Sequence, residues 1–392
     1  MTLDRAVIVA RAGRVTLAML SSSVIVACGS SRPTATAAPE AQTLKDAFAN
    51  SFLVGAALNA AQFTGEDQRG VAIVKAQFNT VTPENILKWE RVHPRLDEYD
   101  FAAPDQYVAF GERNGMFIVG HTLVWHQQTP RWVFEDAAGN AVSRDTLLAR
   151  LRDHIHTVVG RYRGRVKGWD VVNEAVEEDG TLRKTPWLTI IGEDYLAKAF
   201  QFAREADPQA ELYYNDYSVE NAPKRDGVVA LVRKLQAQGI RVSGVGLQGH
   251  NTLTWPTVAQ QDSTIRAFAA LSVKVMITEL DIDVLPRATR SQGADVSVNA
   301  TPAASLNPYT AGLPDSVQQA LAKRYADLFG VYLKHRAVTR VTLWGVADGD
   351  SWLNGWPVRG RKSYPLLFDR AGQPKPAFFA VIRTARQALV SP

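Results

Sequence analysis

The sequence predicts an α/β fold in a single domain, a closed (β/α)8 TIM barrel, and three observations predict it. From about Leu44 onward, short β-rich runs alternate with helical patterns, and eight such runs can be counted. The runs are continuously apolar rather than alternating, as parallel strands covered by helices are. Their C-terminal ends collect polar groups and an indole, the rim where barrel enzymes place their chemistry. With 392 residues, 46% hydrophobic and 21% charged, the chain can bury a core of that size.

The first segment reads as an address rather than structure. Arg5, Arg11 and Arg14 precede an apolar stretch from Val15 to Ala27, too short for the roughly 20 residues that span a bilayer. Residues 1–27 are therefore expected to be a lipoprotein-type signal peptide. It closes on Ile25-Val26-Ala27-Cys28-Gly29, which resembles a bacterial lipobox. Cys28 is the single cysteine, so a disulfide within the chain is excluded and lipidation is its expected chemistry. The alternative is cleavage near Ala35-Thr36-Ala37 and full secretion. Residues 28–43, rich in Ser, Thr, Ala and Pro, form a flexible tether, and 44–390 the barrel.

Within the barrel the predicted strands lie at 52–56, 78–81, 117–121, 166–173, 211–215, 245–250, 275–279 and 341–344. Between them run patterns such as Leu147, Leu151, Ile155 and Val158, whose spacings of four, four and three share one helix face. The strand ends carry Glu84 and Asn85, His121, Asn173 and Glu174, Asn215, His250, Glu279 and Trp344. From Pro286 to about Asp315 the composition turns to Ser, Thr, Ala, Asn and Gly with one aromatic, Tyr309. A loop beyond about 12–15 residues is uncommon; this one either overhangs the substrate groove on the product side or is disordered.

Several function classes drop out. Net charge is +5, of which the N-terminal extension holds +2, and no Lys/Arg block interleaved with aromatics appears, so no nucleic-acid partner is expected. Gly244-Val245-Gly246-Leu247-Gln248-Gly249 matches a dinucleotide-binding glycine pattern. Its glycines lie within a predicted strand, no helix follows, and position 269 is Ala where an acid is needed. With no His-Glu-x-x-His helix and no cysteine pair, neither a metal nor a cofactor is expected.

Two acidic strand ends carry the chemistry. Lys167-Gly168-Trp169-Asp170-Val171-Val172-Asn173-Glu174 and Val275-Met276-Ile277-Thr278-Glu279-Leu280-Asp281 are both short β-rich runs closing on an acid. Cleaving a glycosidic bond needs an acid for the leaving oxygen and a group to stabilise an oxocarbenium-like carbon. Carboxyls about 5.5 Å apart let the second attack directly. Glu174 is assigned as the acid and Glu279 as the nucleophile. Taken singly, each glutamate reads equally as an ion-paired acid at a strand end.

These motifs, with Thr82-Pro83-Glu84-Asn85-Ile86-Leu87-Lys88-Trp89, Gly120-His121-Thr122-Leu123-Val124-Trp125-His126 and Gln248-Gly249-His250, resemble those of glycoside hydrolase family 10 endo-β-1,4-xylanases. The resemblance runs from about residue 44 to 387 and includes Trp344 and Trp352 after the last strand. It implies retaining hydrolysis of internal β-1,4-xylosidic bonds by double displacement through a covalent glycosyl-enzyme. The implied partners are xylan and xylo-oligosaccharides, met by a monomer. By the same match, Asn173 would donate to the sugar 2-hydroxyl, and His250 with Asp281 would hold Glu279. His121 and Lys88 would bind the sugar at the cleavage point, with Glu84, Asn85 and Gln128 reaching the next one. Asn215 and Gln248 are further substrate-binding candidates. Trp125, Trp344 and Trp352 would form a stacking platform, since indole faces pack on pyranose C–H faces. The spacing of Glu84 and Lys88 is also that of a helical ion pair. Trp89, Trp132, Trp187, Trp255 and Trp356 are left open between packing and binding. A non-catalytic glycan-binding barrel would need neither glutamate; an exo-acting or cellulose-preferring relative is the nearer rival.

Overall fold

A computed structural model describes residues 43–287 and 294–390; Cys28 and residues 288–293 lie outside them. The barrel strands are β1 (Leu53–Leu58), β2 (Thr80–Pro83), β3 (Phe117–Val124), β4 (Gly168–Asn173), β5 (Glu211–Asp216), β6 (Gly244–Leu247), β8 (Lys274–Asp283) and β9 (Val338–Leu343). A short extra strand, β7 (His250–Thr252), lies between β6 and β8 in the chain. All pairings are parallel: β1 to β6 pair in sequence, β6 pairs β8, β8 pairs β9 and β9 returns to β1, closing the barrel.

Local chemistry starts and stops the elements. The helix Ala60–Thr64 opens with a capping box, Asn59 with Gln62, and stops at left-handed Gly65. The helix Val258–Ala269 opens the same way on Thr257 and Gln260. The helix Arg144–Arg161 buries Leu147, Leu151, Ile155 and Val158, the face its spacing predicts.

The predicted run at 245–250 is two pieces. Gly249, at φ +80°, turns the chain out of β6 in a conformation that glycine adopts without penalty. The chain then rejoins the sheet as β7, which pairs His250 with Asp281 and lengthens β8 beyond the predicted 275–279. The effect is to carry His250 above the barrel mouth, level with the end of β8.

Glycines inside the sheet make room for large neighbours. A Cβ at Gly120 would stand 2.1 Å from the Trp169 ring on the adjacent strand, and one at Gly246 would stand 2.2 Å from Asn215 Oδ1. The second absence bears on the site, because it leaves Asn215 free to reach across the strand ends.

The described part of the long loop is bonded to neighbouring loops. Ala300 N–H donates to Pro357 O at 2.8 Å, Asn307 Oδ1 accepts from Lys362 N–H at 3.0 Å, and Trp356 Nε1 donates to Asp295 O at 3.2 Å. These bonds tie 295–307 to the loop after β9. Asp295 Oδ1 also accepts from Gln127 Nε2, after β3, at 3.0 Å, so the segment is fastened to two separate rim loops.

Candidate active site

The C-terminal strand ends enclose a cavity of about 120 Å³. Glu174 and Glu279 both line it, each 5% exposed. Of the other predicted residues, Glu84, Asn85, Lys88, His121, Trp125, Gln128, Asn173, Gln248, His250, Trp344 and Trp352 line it too. Asp281 and Asn215 stand behind this lining.

Register sets the centre of the site. Asn173 at the end of β4 pairs with Asn215 on β5, and Asn215 with Gly246 on β6. Asn215 Nδ2 donates to Asn173 Oδ1 at 2.8 Å and to Glu279 Oε1 at 2.8 Å, while its Oδ1 accepts the Thr278 hydroxyl at 2.6 Å. Asn173 Nδ2 then donates to Glu174 Oε1 at 3.0 Å. Two side-chain amides thus connect the two carboxyls. Asn215, expected to touch substrate, is fully buried with both amide atoms engaged, so it holds the pair instead. Asn173 donates to Glu174 as well as facing the cavity.

The two glutamates have different surroundings. Glu174 ends in a left-handed backbone, φ +58°, uncommon for a residue with a side chain. Its oxygens accept from Trp125 Nε1 at 2.8 Å and Gln248 Nε2 at 2.9 Å. Burial pushes its pKa up; those two bonds pull it down and the charge of Glu279 adds to the rise, leaving it above the usual carboxylate range. Glu279 is equally buried, which alone would raise it. The hydrogen bond from His250, the His121 and His250 imidazoles and Asn215 outweigh burial and hold it below the usual range. The surroundings therefore favour the neutral form of Glu174 and the charged form of Glu279.

His250 lies between two acids. Its Nε2 is 3.1 Å from Glu279 Oε2, and its Nδ1 is 3.1 Å from Asp281 Oδ1, close enough for an ion pair though bent from a straight hydrogen bond. Burial disfavours its charge, but Asp281 and Glu279 outweigh that and raise its pKa to about 10. Trp352 Nε1 donates to Asp281 Oδ2 at 2.7 Å, so this indole belongs to the relay behind Glu279 as well as to the cavity wall.

The neighbouring cavity-lining groups form a second cluster. Lys88 Nζ donates to Asn85 Oδ1 at 3.0 Å and Gln128 Oε1 at 2.9 Å and stands 4.9 Å from the Trp125 ring centroid. Burial lowers its pKa, against the attraction of Glu279, Glu84 and Glu174. Residues 84–88 form a turn after β2, so the helical ion-pair reading of Glu84 and Lys88 does not hold. Gln128, at φ +44°, shares a left-handed backbone with Glu174.

Some contributors were not singled out from the sequence. Asp170 Oδ2 accepts from His121 Nδ1 at 2.9 Å, which leaves His121 Nε2 for the cavity. The signal was present: a charged residue inside an apolar run. Ala294 and Val296 of the long loop also line the cavity. Of the tryptophans left open, Trp89 and Trp187 are core residues, and Trp187 Nε1 donates to Trp125 O at 2.9 Å. Trp132 packs on the core, and Trp356 stacks on Trp352 with centroids 4.5 Å apart. No group of acids, histidines or cysteines able to hold a metal occurs among the described residues.

Comparisons with known proteins agree in one direction. The model of the family described as glycosyl hydrolase family 10 matches residues 43–384. Endo-1,4-beta-xylanase A of Xylanibacter ruminicola is 45% identical over 352 residues, covering 90% of this chain and 95% of that one. Endo-1,4-beta-xylanase B of Paenibacillus barcinonensis is 43% identical over 346 residues, covering 88% and 98%. A solved GH10 endoxylanase retrieved from a sugarcane soil metagenome superposes with a TM-score of 0.85 at 46% identity, covering 87% of this chain and 99% of that one. A mutant structure in complex with xylotriose gives a TM-score of 0.77 at 37% identity, covering 87% and 99%.

The bond from Trp125 to Glu174 yields a signed expectation. Trp125→Phe keeps a ring but loses an N–H that favours the charged carboxylate. The basic limb of the kcat/KM profile on xylohexaose moves to higher pH, while the acidic limb, set by Glu279, stays in place. A basic limb that moves down or not at all contradicts this electrostatic role.

Proposed function

The chain belongs to glycosyl hydrolase family 10, and on that premise we propose that it is an endo-1,4-β-xylanase that cleaves internal bonds of xylan with retention. The observation that carries this reading is the pair of buried carboxyls joined by Asn173 and Asn215, with burial raising the pKa of Glu174 and the partners of Glu279 lowering its own.

Glu279 attacks the anomeric carbon as Glu174 delivers its proton to the departing oxygen. The glycosyl ester removes the charge of Glu279, so the proton affinity of Glu174 falls and it can take a proton from water in the second step. General acid help is typically worth 10² to 10⁴, about 3–5 kcal/mol. The covalent route and sugar binding supply the rest. His250 and Asp281 keep Glu279 oriented, and His121, Lys88, Asn85 and Glu84 supply hydrogen bonds to sugar hydroxyls. The Trp344 and Trp352 rings provide apolar faces. Gln128 and Trp352 crowd the position of a glucose hydroxymethyl group. One such group is worth only about 1–3 kcal/mol, so weak action on aryl cellobiosides is expected.

Action as a monomer is part of the same reading. For location, the reading is a bacterial cell envelope with the enzyme lipid-anchored at Cys28, or else secreted; the lipobox-like Ile25-Val26-Ala27-Cys28-Gly29 supports the anchor. No described helix is long and apolar enough to cross a membrane.

Two experiments test these readings. Glu279→Ala should abolish turnover of xylan. Glu174→Ala should lose 10²-fold or more on xylan, yet far less in kcat/KM on an aryl xylobioside whose leaving group needs no proton. Near-normal turnover by Glu279→Ala, or equal losses by Glu174→Ala on both substrates, contradicts the assignment. Full-length enzyme expressed in a bacterium should fractionate with membranes and take up labelled fatty acid, and Cys28→Ser should do neither; a Cys28→Ser protein still in the membrane fraction rejects the anchor.

A further inference from the structure

Outside the cavity lining, beside Glu174, lies a cluster of ionisable side chains that the reaction above does not use. Asp216, at the end of β5, is fully buried; its Oδ1 is 3.0 Å from Lys224 Nζ and its Oδ2 accepts the Tyr214 hydroxyl at 2.5 Å. Lys224 is also fully buried, with its ammonium 3.5 Å from the Tyr217 ring centroid. Asp216 Oδ1 further accepts Tyr217 N–H at 2.9 Å. A buried ion pair of this kind is weak evidence for stability, since desolvation offsets most of the attraction. Its contacts indicate another use.

Two arms lead from the cluster to a single peptide plane. The Tyr214 hydroxyl, whose proton goes to Asp216, accepts Ala175 N–H at 3.1 Å. The Tyr217 hydroxyl accepts from Arg183 Nη2 at 2.8 Å, and Arg183 Nε donates to Glu174 O at 3.0 Å. Glu174 C=O and Ala175 N–H are the two ends of the peptide group that follows the acid, so this plane is gripped from both sides. On the preceding side, Glu174 N–H donates to Asn215 O at 2.9 Å. The peptides on both sides of the Glu174 α-carbon are thereby held, with its φ at +58° in the left-handed region, which a glutamate does not favour and keeps only when its surroundings over-determine it.

We propose that Asp216, Lys224, Tyr214, Tyr217 and Arg183 form a positioning network that clamps the Glu174–Ala175 peptide and so aims the proton of Glu174 at the leaving oxygen. The inference rests on Glu174 being the acid. None of the five lines the cavity, so their effect on the reaction passes through the acid's backbone. Releasing one arm lets the chain relax toward ordinary torsions and swings the carboxyl, and small misplacements of a reacting group cost much in rate.

Tyr214→Phe removes one arm without altering the cavity wall. On xylohexaose, kcat should fall about tenfold with KM within about twofold. On a dinitrophenyl xylobioside, kcat/KM should stay within about twofold, because departure of that group needs no proton. Equal losses on both substrates, or no loss on xylohexaose, overturn the proposal. If Tyr214→Phe does not fold, Arg183→Lys, which gives up the Nε donor to Glu174 O, should show the same split, and its absence there overturns the proposal equally. Glu174→Ala measured in parallel separates the two levels. If it lacks the leaving-group split, the acid assignment has failed; if it keeps the split while Tyr214→Phe does not, only the network has failed.

Discussion

The side-chain bridge from Glu279 through Asn215 and Asn173 to Glu174 is the constraint on which the rest of the site depends. Each amide can donate and accept at once, so two of them link the two carboxyl groups without placing a cation between them. Hydrogen bonds to a charged group are worth roughly 1.5–3 kcal/mol, enough to fix a carboxylate that would otherwise rotate. The bridge exists because three neighbouring strands end in step. Asn173 pairs with Asn215, Asn215 with Gly246, and any side chain at Gly246 would strike the Asn215 amide. A parallel barrel supplies that register through its ladders, and one missing Cβ supplies the space.

Asymmetry is built on top of the bridge. Both carboxyls are buried to the same degree, so burial does not distinguish them. What does is the partner each receives: an imidazole backed by Asp281 for Glu279, and the neutral donors of Trp125 and Gln248 for Glu174. The detour at Gly249 places that imidazole, since it ends β6 and lets His250 return as a partner of the lengthened β8. A backbone irregularity therefore underlies the opposite shifts in proton affinity of the two acids.

Strand type, helix faces and the acidic strand ends were legible in the sequence because burial imposes a pattern on consecutive residues. The run ending in Glu174 and the spacing of Leu147, Leu151, Ile155 and Val158 are local signals of that kind. The division of labour between side chains of the same type was not legible. Asn173 and Asn215 are both strand-end amides in sequence, yet one faces the cavity and the other lies behind it, and only the register separates them. Asp170, inside a predicted strand, and Asp216, just past one, carried no signal of their roles, because their partners, His121 and Lys224, lie on other segments. The loop after β8 was undecided for a related reason. A Ser/Ala/Thr-rich composition does not show that Asp295 is held by Gln127 on one side and Trp356 on the other.

The central claim is that Glu279 and Glu174 act on one anomeric centre by direct attack and proton delivery. The configuration of the first-formed sugar tests it, because two displacements restore the starting stereochemistry and one inverts it. Proton NMR of xylohexaose hydrolysis, followed before mutarotation, should show the β-anomer of the new reducing end appearing first. Initial appearance of the α-anomer would mean that water attacks directly, and the account of the carboxyl pair would be wrong.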